Sequence, residues 1–282
     1  MKCIADIQAL RELLKQWRMA GESIAFVPTM GNLHAGHLQL VNKAKAQADR
    51  VVVSIFVNPT QFGVGEDFSL YPRTEHADQE KLQAAGVDVV FMPSVEGMYP
   101  INELTKVSVS QVSENHCGAV RPGHFDGVAT VVCKLFNIVQ PDKAFFGEKD
   151  FQQLTVINAM VVDLNLPVEI ISVSTVRESD GLAMSSRNSY LTAEQREQAP
   201  QLYQSLCAAK ELIQTKQVNY ADIEKQQIKF LEENGFEPDY FSICRRHDLQ
   251  TAGQDDSEIV VLVAAKMGKT RLIDNIQLNV ES

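Results

Sequence analysis

Two histidines three residues apart, His34 and His37, stand in the segment Pro28-Thr29-Met30-Gly31-Asn32-Leu33-His34-Ala35-Gly36-His37. Imidazoles can donate hydrogen bonds to phosphate oxygens as charge builds up on them. Gly31 and Gly36 carry no side chain to keep a purine or a phosphate off the backbone. Residues i and i+3 share a helix face, and the first turn of a helix offers backbone N–H groups and a positive dipole end to an anion. The segment therefore suits a nucleotide if a strand ends near Val27 and a helix begins near His34. The same spacing also occurs in ordinary half-exposed helix residues. A metal is disfavoured, because neither His-Glu-x-x-His nor a Cys-rich companion completes a coordination sphere.

Other loops carry chemistry of a compatible kind. Asn58-Pro59-Thr60-Gln61-Phe62-Gly63 supplies neutral amides that orient a polar substrate without adding charge, although an Asn-Pro turn is also a common connector. Gly147-Glu148-Lys149-Asp150 sets an ammonium beside a glycine, suited to a phosphate, with an acid that could reach a ribose or magnesium. Gln153 follows Asp150 by one helical turn and points toward the same crevice. Ala183-Met184-Ser185-Ser186-Arg187-Asn188 joins two hydroxyls and a guanidinium in a loop able to close over a triphosphate. A serine nucleophile is a poor alternative there, since no Gly-x-Ser-x-Gly turn is present. Lys266-Met267-Gly268-Lys269-Thr270 lacks the first glycine of a P-loop and reads as a hairpin turn. Arg121-Pro122-Gly123-His124-Phe125-Asp126-Gly127 either borders the site or caps a helix. His76, His116 and His247 have no evident partners and default to the surface.

These loops need a scaffold, and the hydrophobic periodicity supplies one. Helical spacing over residues 6–19, 34–48, 78–85, 127–139 and 151–163 alternates with apolar strand-sized runs at 24–27, 51–57, 87–91, 144–146 and 168–173. Such alternation predicts an α/β fold, a Rossmann-like parallel sheet covered on both faces, over residues 1–175. Ligands bind beyond the carboxyl ends of strands in such sheets, so the loops after Val27, Val57 and Phe146 should converge. Residues 176–282 change character: polar amphipathic helices at 192–216 and 219–234, then short strands at 240–243, 259–264 and 270–274. This predicts a smaller α+β domain closing over the nucleotide.

Composition narrows the classes. The chain has 282 residues, 45% hydrophobic and 22% charged, typical of a globular protein. Its longest apolar runs fall far short of the roughly 20 residues of a membrane span, and the start shows no signal-peptide core. The formal charge of −10 opposes non-specific nucleic-acid binding. Five scattered cysteines without a Cys-x-x-Cys pair suit free thiols in a reducing cytosol. Small-molecule substrates, no nucleic acid, no membrane and a cytoplasmic location are expected.

Together, Pro28-Thr29-Met30-Gly31 with His34-Ala35-Gly36-His37, Phe56-Val57-Asn58-Pro59-Thr60-Gln61-Phe62, Tyr71-Pro72-Arg73, Phe145-Phe146-Gly147-Glu148-Lys149-Asp150 and Met184-Ser185-Ser186-Arg187 closely resemble the pantothenate synthetase (pantoate–β-alanine ligase) family. That family belongs to the wider nucleotidyltransferase superfamily with a His-x-Gly-His motif. The resemblance runs from about residue 24 to 191 and is weaker beyond. It implies an AMP-forming carboxylate–amine ligase that joins (R)-pantoate to β-alanine through pantoyl adenylate, releasing AMP and pyrophosphate. It implies His37 as proton donor, with His34, Lys149, Ser185 and Arg187 also catalytic. ATP would be held by Met30, Gly31, Asn32, Leu33, His34, Ala35, Gly36, His37, Gly147, Glu148, Lys149, Asp150, Val176, Met184, Ser185, Ser186 and Arg187. Gln61 and Gln153 would bind pantoate, and Gln61 also β-alanine. Magnesium would arrive with ATP, with Asp78 as a weak protein ligand, and no tightly bound organic cofactor is implied. A homodimer through the larger domain is implied as well. Asn32 departs from the pattern, since many relatives have a small residue there. Rival readings are another small-molecule adenylyltransferase and a non-enzymatic ATP-binding regulator.

Overall fold

The computed structural model describes residues 1–63, 65–215 and 219–280. In chain order the first elements are β1 (Lys2–Ile4), α1 (Ile7–Met19), β2 (Ile24–Thr29), α2 (Ala35–Lys45), β3 (Arg50–Ile55), α3 (Glu75–Ala84), β4 (Val89–Phe91), α4 (Val95–Met98), α5 (Cys117–Val120) and α6 (His124–Val139). Then follow β5 (Lys143–Gly147), α7 (Phe151–Asp163), β6 (Glu169–Val173), α8 (Ala193–Gln198), α9 (Gln201–Thr215), α10 (Tyr220–Glu233), β7 (Glu237–Arg245), β8 (Glu258–Met267) and β9 (Thr270–Asn279). The chain divides into two units. Unit 1 comprises Met1–Val109, Arg121–Glu148 and Val156–Ser174; unit 2 comprises Ser110–Val120, Lys149–Thr155 and Thr175–Ser282. Unit 2 thus takes two short segments that no change of composition marks. Gln152 ties them together: its amide donates to Val112 O and Asn115 O and accepts from Cys117 N.

Unit 1 is built on a six-stranded, all-parallel sheet of order β1-β4-β3-β2-β5-β6. Its central strands bury both faces, which is why they read as continuous apolar runs. The strand order reverses between β2 and β5. Pairing of β2 with β3 runs on to Thr29↔Ile55, whereas pairing with β5 covers Ala25↔Lys143 and Phe26↔Ala144 only. Pro28 has no N–H to extend that second ladder, so the carboxyl ends of β2 and β5 are released from each other at the switch point. The strand predicted over 51–57 ends at Ile55, and β1 escapes periodicity because three residues carry none.

The helices of unit 1 follow their apolar stripes. Asp6 caps α1 by accepting from Ala9 N, and Leu10 and Leu14 are fully buried. Helix α6 is buried along most of its length and packs against the Asn58–Gln61 turn. Gly127 permits that approach: a Cβ there would overlap Thr60 O and lie 2.7 Å from Gln61 N.

Unit 2 contains an antiparallel meander β7-β8-β9 covered by α9 and α10. Leu202, Leu206, Ala209, Ile223 and Leu231 pack with Ile243, Ile259, Val261 and Val263. The strands outrun the short segments expected from the sequence, because the apolar β8 draws the polar ends of both neighbours into pairing, down to Glu258↔Asn279. The helix expected over 192–216 is two helices: Pro200 lacks an N–H and starts α9 afresh. Residue 216, at the end of that expectation, lies outside the described residues. Gly268 and Lys269 form the β8–β9 turn, so the stretch that superficially matches a P-loop is the hairpin turn expected of it.

Candidate active site

In unit 1 the chain leaves β2 at the switch point through two left-handed residues, Gly31 (φ 80°) and Asn32 (φ 49°). Asparagine tolerates that region better than most residues, which accounts physically for its place here. The turn aims the N–H groups of Asn32 and Leu33 at the Asp78 carboxylate, each at 2.8 Å. Asp78 is fully buried on α3 and also accepts from Thr74 Oγ1, while Lys81 donates to Leu33 O at 2.6 Å. Its carboxylate is thereby spent on the loop. Among the described residues no group of three or more His, Cys, Asp or Glu gathers to hold a metal.

His34 is the N-cap of α2 and His37 its third residue, and they cap reciprocally. Gly36 N donates to His34 Nδ1 at 3.2 Å, and His34 N donates to His37 Nδ1 at 3.3 Å. An Nδ1 that accepts carries no proton, so each neutral ring has its N–H at Nε2. The rings lie together, centroids 4.1 Å apart. The expectation that backbone N–H groups of this turn would receive phosphate is narrowed here: those of Asn32, Leu33, His34 and Gly36 are bonded within the protein. Each imidazole thus carries its N–H on the ring edge away from the cap. Ala35 is exposed beside them, and Met30 lies at the end of β2.

Gln61 is buried in a short 3-10 turn, Pro59–Gln61, capped by Asn58. Asn58 Nδ2 donates to Gln61 Oε1 at 3.0 Å and to Gly127 O at 3.1 Å, while Asn58 Oδ1 accepts from Tyr99 OH at 2.7 Å. Gln61 Nε2 consequently faces Met30, 3.0 Å from Sδ. The backbone oxygen of Gln61 accepts from Arg121 Nη2 at 3.2 Å and His124 Nδ1 at 2.8 Å. The segment that the sequence left between helix cap and site border therefore grips Gln61. On the other side of the switch point Gly147 ends β5, and a Cβ on it would meet no atom within 4 Å. Glu148 follows.

In unit 2 Lys149 sits in a 3-10 turn with its ammonium 3.8 Å from Asp150 and mostly buried. Its carbonyl accepts from Asn275 Nδ2. Gln153 is half-buried on the first turn of α7, next to the buried Gln152. Val176 and Met184 are brought together, as Met184 N donates to Val176 O beside the Arg177↔Ala183 bridge. Ser185 Oγ accepts from Arg187 N and caps the 3-10 turn Ser186–Tyr190. Arg177 anchors this loop through a bidentate pair with Asp274 (2.6 and 3.0 Å) and by stacking over Tyr203. Burial pushes Asp274 above its ordinary value despite the opposing pull of Arg177 and Lys149. Neither partner was legible in the sequence, because ninety-seven residues separate them.

Of the three histidines placed on the surface by default, His76 and His247 are exposed. His116 is not: it packs against Tyr240, and its Nε2–H donates to Leu249 O at 3.2 Å. Burial lowers its pKa, with the Leu249 carbonyl opposing.

The pantoate-beta-alanine ligase family model matches residues 2–277. A pantothenate synthetase of Pseudomonas fluorescens strain SBW25 is 54% identical over 283 residues, covering all of both chains. The crystal structure of a pantothenate synthetase from Thermus thermophilus superposes with a TM-score of 0.92 at 45% identity, covering 98% of this chain and 99% of that one. A Francisella tularensis pantoate-beta-alanine ligase, solved with β,γ-ATP and β-alanine, gives 0.82 at 34% identity, covering 98% and 97%. With a family match along nearly its whole length and relatives above half identity, this chain belongs to the pantoate–β-alanine ligase family.

Proposed function

We propose that the protein condenses (R)-pantoate with β-alanine at the expense of ATP, through pantoyl adenylate. In the first step a pantoate carboxylate oxygen attacks the α-phosphorus; the new P–O bond forms as the bond to the β-phosphate oxygen breaks, and pyrophosphate leaves. In the second step the β-alanine amine attacks the acyl carbon, a C–N bond forms, AMP leaves with the C–O electron pair, and the amine releases a proton. Both steps ask the protein for alignment and charge stabilisation rather than a covalent nucleophile.

The observation that carries this reading is the reciprocal histidine cap at the switch point, which fixes both rings side by side with Nδ1 as the acceptor and the N–H at Nε2. His34 and His37 steady the phosphates, with His37 as proton donor. Lys149, Ser185, Ser186 and Arg187 bind the triphosphate and assist departure of pyrophosphate. Met30, Gly147 and Val176, with Asp150, hold adenine and ribose, while Gly31, Asn32, Leu33, Ala35, Gly36, Glu148 and Met184 shape the nucleotide's surroundings. Gln61 and Gln153 hold pantoate. Magnesium comes as part of MgATP; the hydrogen-bonded Asp78 suits a loop anchor better than a ligand. A homodimer in the cytoplasm completes the reading. Support for it is the resemblance and the almost fully exposed Ile101 and Leu104 of unit 1.

The test is AMP and pyrophosphate release from MgATP with pantoate and β-alanine, each omitted in turn, beside pantoate-dependent ATP–pyrophosphate exchange. Exchange without β-alanine, and AMP only with both, is expected. A folded, ATP-binding protein that does neither would sink the ligase reading in favour of another adenylyltransferase or a regulator.

A further inference from the structure

β-Alanine brings a carboxylate into the second step, and Gln61, the residue assigned to it, is neutral. A carboxylate removed from water needs a cationic, hydrogen-bonding partner. In unit 1 a cation touches Gln61: Arg121, on the turn before α6, with its side chain 16% exposed. Its fork is engaged bidentately by Glu66, Nε to Oε1 at 2.7 Å and Nη2 to Oε2 at 2.6 Å. Arg121 Nη1 lies 3.0 Å from His124 Nε2, whose Nδ1 lies 2.8 Å from Gln61 O. With the His124 proton at Nδ1, the ring donates to Gln61 O and accepts from Arg121, satisfying all three groups. Arg121 is thus aimed by two neighbours, and its two carboxylate-binding N–H groups are filled by a carboxylate from another segment.

That segment is local and short. Glu66 N donates to Gly63 O, and a 3-10 turn, Asp67–Ser69, follows. Burial raises the Glu66 pKa, but the hydrogen bonds and charge of Arg121 outweigh it and hold it below the ordinary range. Glu66 is therefore ionised at neutral pH and presents the same planar, bidentate group as a substrate carboxylate. β-Alanine has a short stem, so its carboxylate must be met within one side chain's reach of the acyl carbon. Arg121 is bonded to the backbone of the glutamine assigned to that substrate, at 3.2 Å from its carbonyl oxygen.

Resting on the ligase reading of this site, we propose that Arg121 binds the carboxylate of β-alanine and that Glu66 occupies its guanidinium until the substrate displaces it. Arg121 then selects amines bearing a carboxylate at the right distance. Glu66 keeps the guanidinium aimed and neutralised while pantoyl adenylate forms.

The experiment compares Arg121→Gln, Arg121→Lys and Glu66→Gln with the parent. It measures pantoate-dependent ATP–pyrophosphate exchange, which needs no β-alanine, and pantothenate formation against β-alanine or its uncharged analogue β-alaninamide. Arg121→Gln is expected to raise KM for β-alanine by about tenfold or more, the scale of losing a charge partner, with a much smaller change in exchange. Its preference for β-alanine over β-alaninamide shrinks, and Arg121→Lys recovers part of both. Glu66→Gln lowers KM for β-alanine by removing the competitor. An unchanged KM in folded Arg121→Gln overturns the proposal. So does a fall in exchange that matches the fall in the overall reaction, which would mean that Arg121 acts only through Gln61. An unchanged or raised KM in Glu66→Gln overturns the competing role of that carboxylate. Absence of exchange in the parent would instead overturn the ligase reading.

Discussion

Each histidine of the pair closes the helix cap through Nδ1, and the proposed function gives the phosphate contact to a different atom, Nε2. Substitutions should separate the two roles. Asparagine places its amide oxygen near the Nδ1 position, so His37→Asn is expected to keep the cap but lose the donor, slowing ATP–pyrophosphate exchange at least about tenfold, about 1.4 kcal/mol of barrier. His34→Ala and Lys149→Ala should slow exchange by a similar factor while circular dichroism and thermal unfolding stay near the parent's; near-normal exchange in folded variants would remove these residues from the chemistry. His116 offers a pH test. Its lowered pKa means that the unfolded chain takes up more protons below the ordinary histidine value of 6.5. Stability from this group is complete above that pH and is lost as pH falls toward the depressed folded value. The protection of β7 amides, after correction for the intrinsic pH dependence of exchange, is expected to fall between neutral pH and mild acid, and His116→Asn should flatten that dependence relative to the parent.

Elements act here through their ends and their approaches. The loop after β2 is held by a carboxylate from α3 and an ammonium one turn further on, so α3 fixes the backbone that leads into the histidines. The turn carrying Gln61 lies so close to α6 that no side chain fits at Gly127. Gly127→Ala must displace either the turn or the helix, and overpacking of this kind costs about 1 to 3 kcal/mol. The expected result is a lower unfolding temperature together with weaker pantoate dependence of exchange, because Asn58, bonded to both Gly127 O and Gln61, moves with the turn. Loss of stability with unaltered pantoate dependence would show that Gln61 is positioned independently of α6.

At the scale of the whole molecule, a homodimer is expected: sedimentation at micromolar concentration should return about twice the 31.4 kDa chain mass, and a monomer would overturn it. The α/β class, the alternation of elements and the loops bearing chemistry were legible in the sequence. Periodicity is local, and strands buried on both faces announce themselves as continuous apolar runs, as 51–55 does. The His34/His37 pair, Gln61 and Lys149 were legible by type and by their place after strands. What was not legible depends on partners distant in the chain. Asp78 reads from the sequence as a weak magnesium ligand, yet its carboxylate is taken by amides forty-five and forty-six residues away. Glu66 and Arg121, fifty-five residues apart, and Arg177 and Asp274 pair only after the fold brings them together. The segments 110–120 and 149–155, tied to each other by the buried Gln152 side chain, belong to unit 2 through partners such as Leu249, Tyr240 and Asn275 that lie far along the chain. Residue type and short-range spacing by themselves singled out the groups proposed to meet a nucleotide. Which of their atoms are already engaged within the protein was decided by the tertiary structure, because hydrogen-bond valences are consumed by whatever neighbour packing supplies.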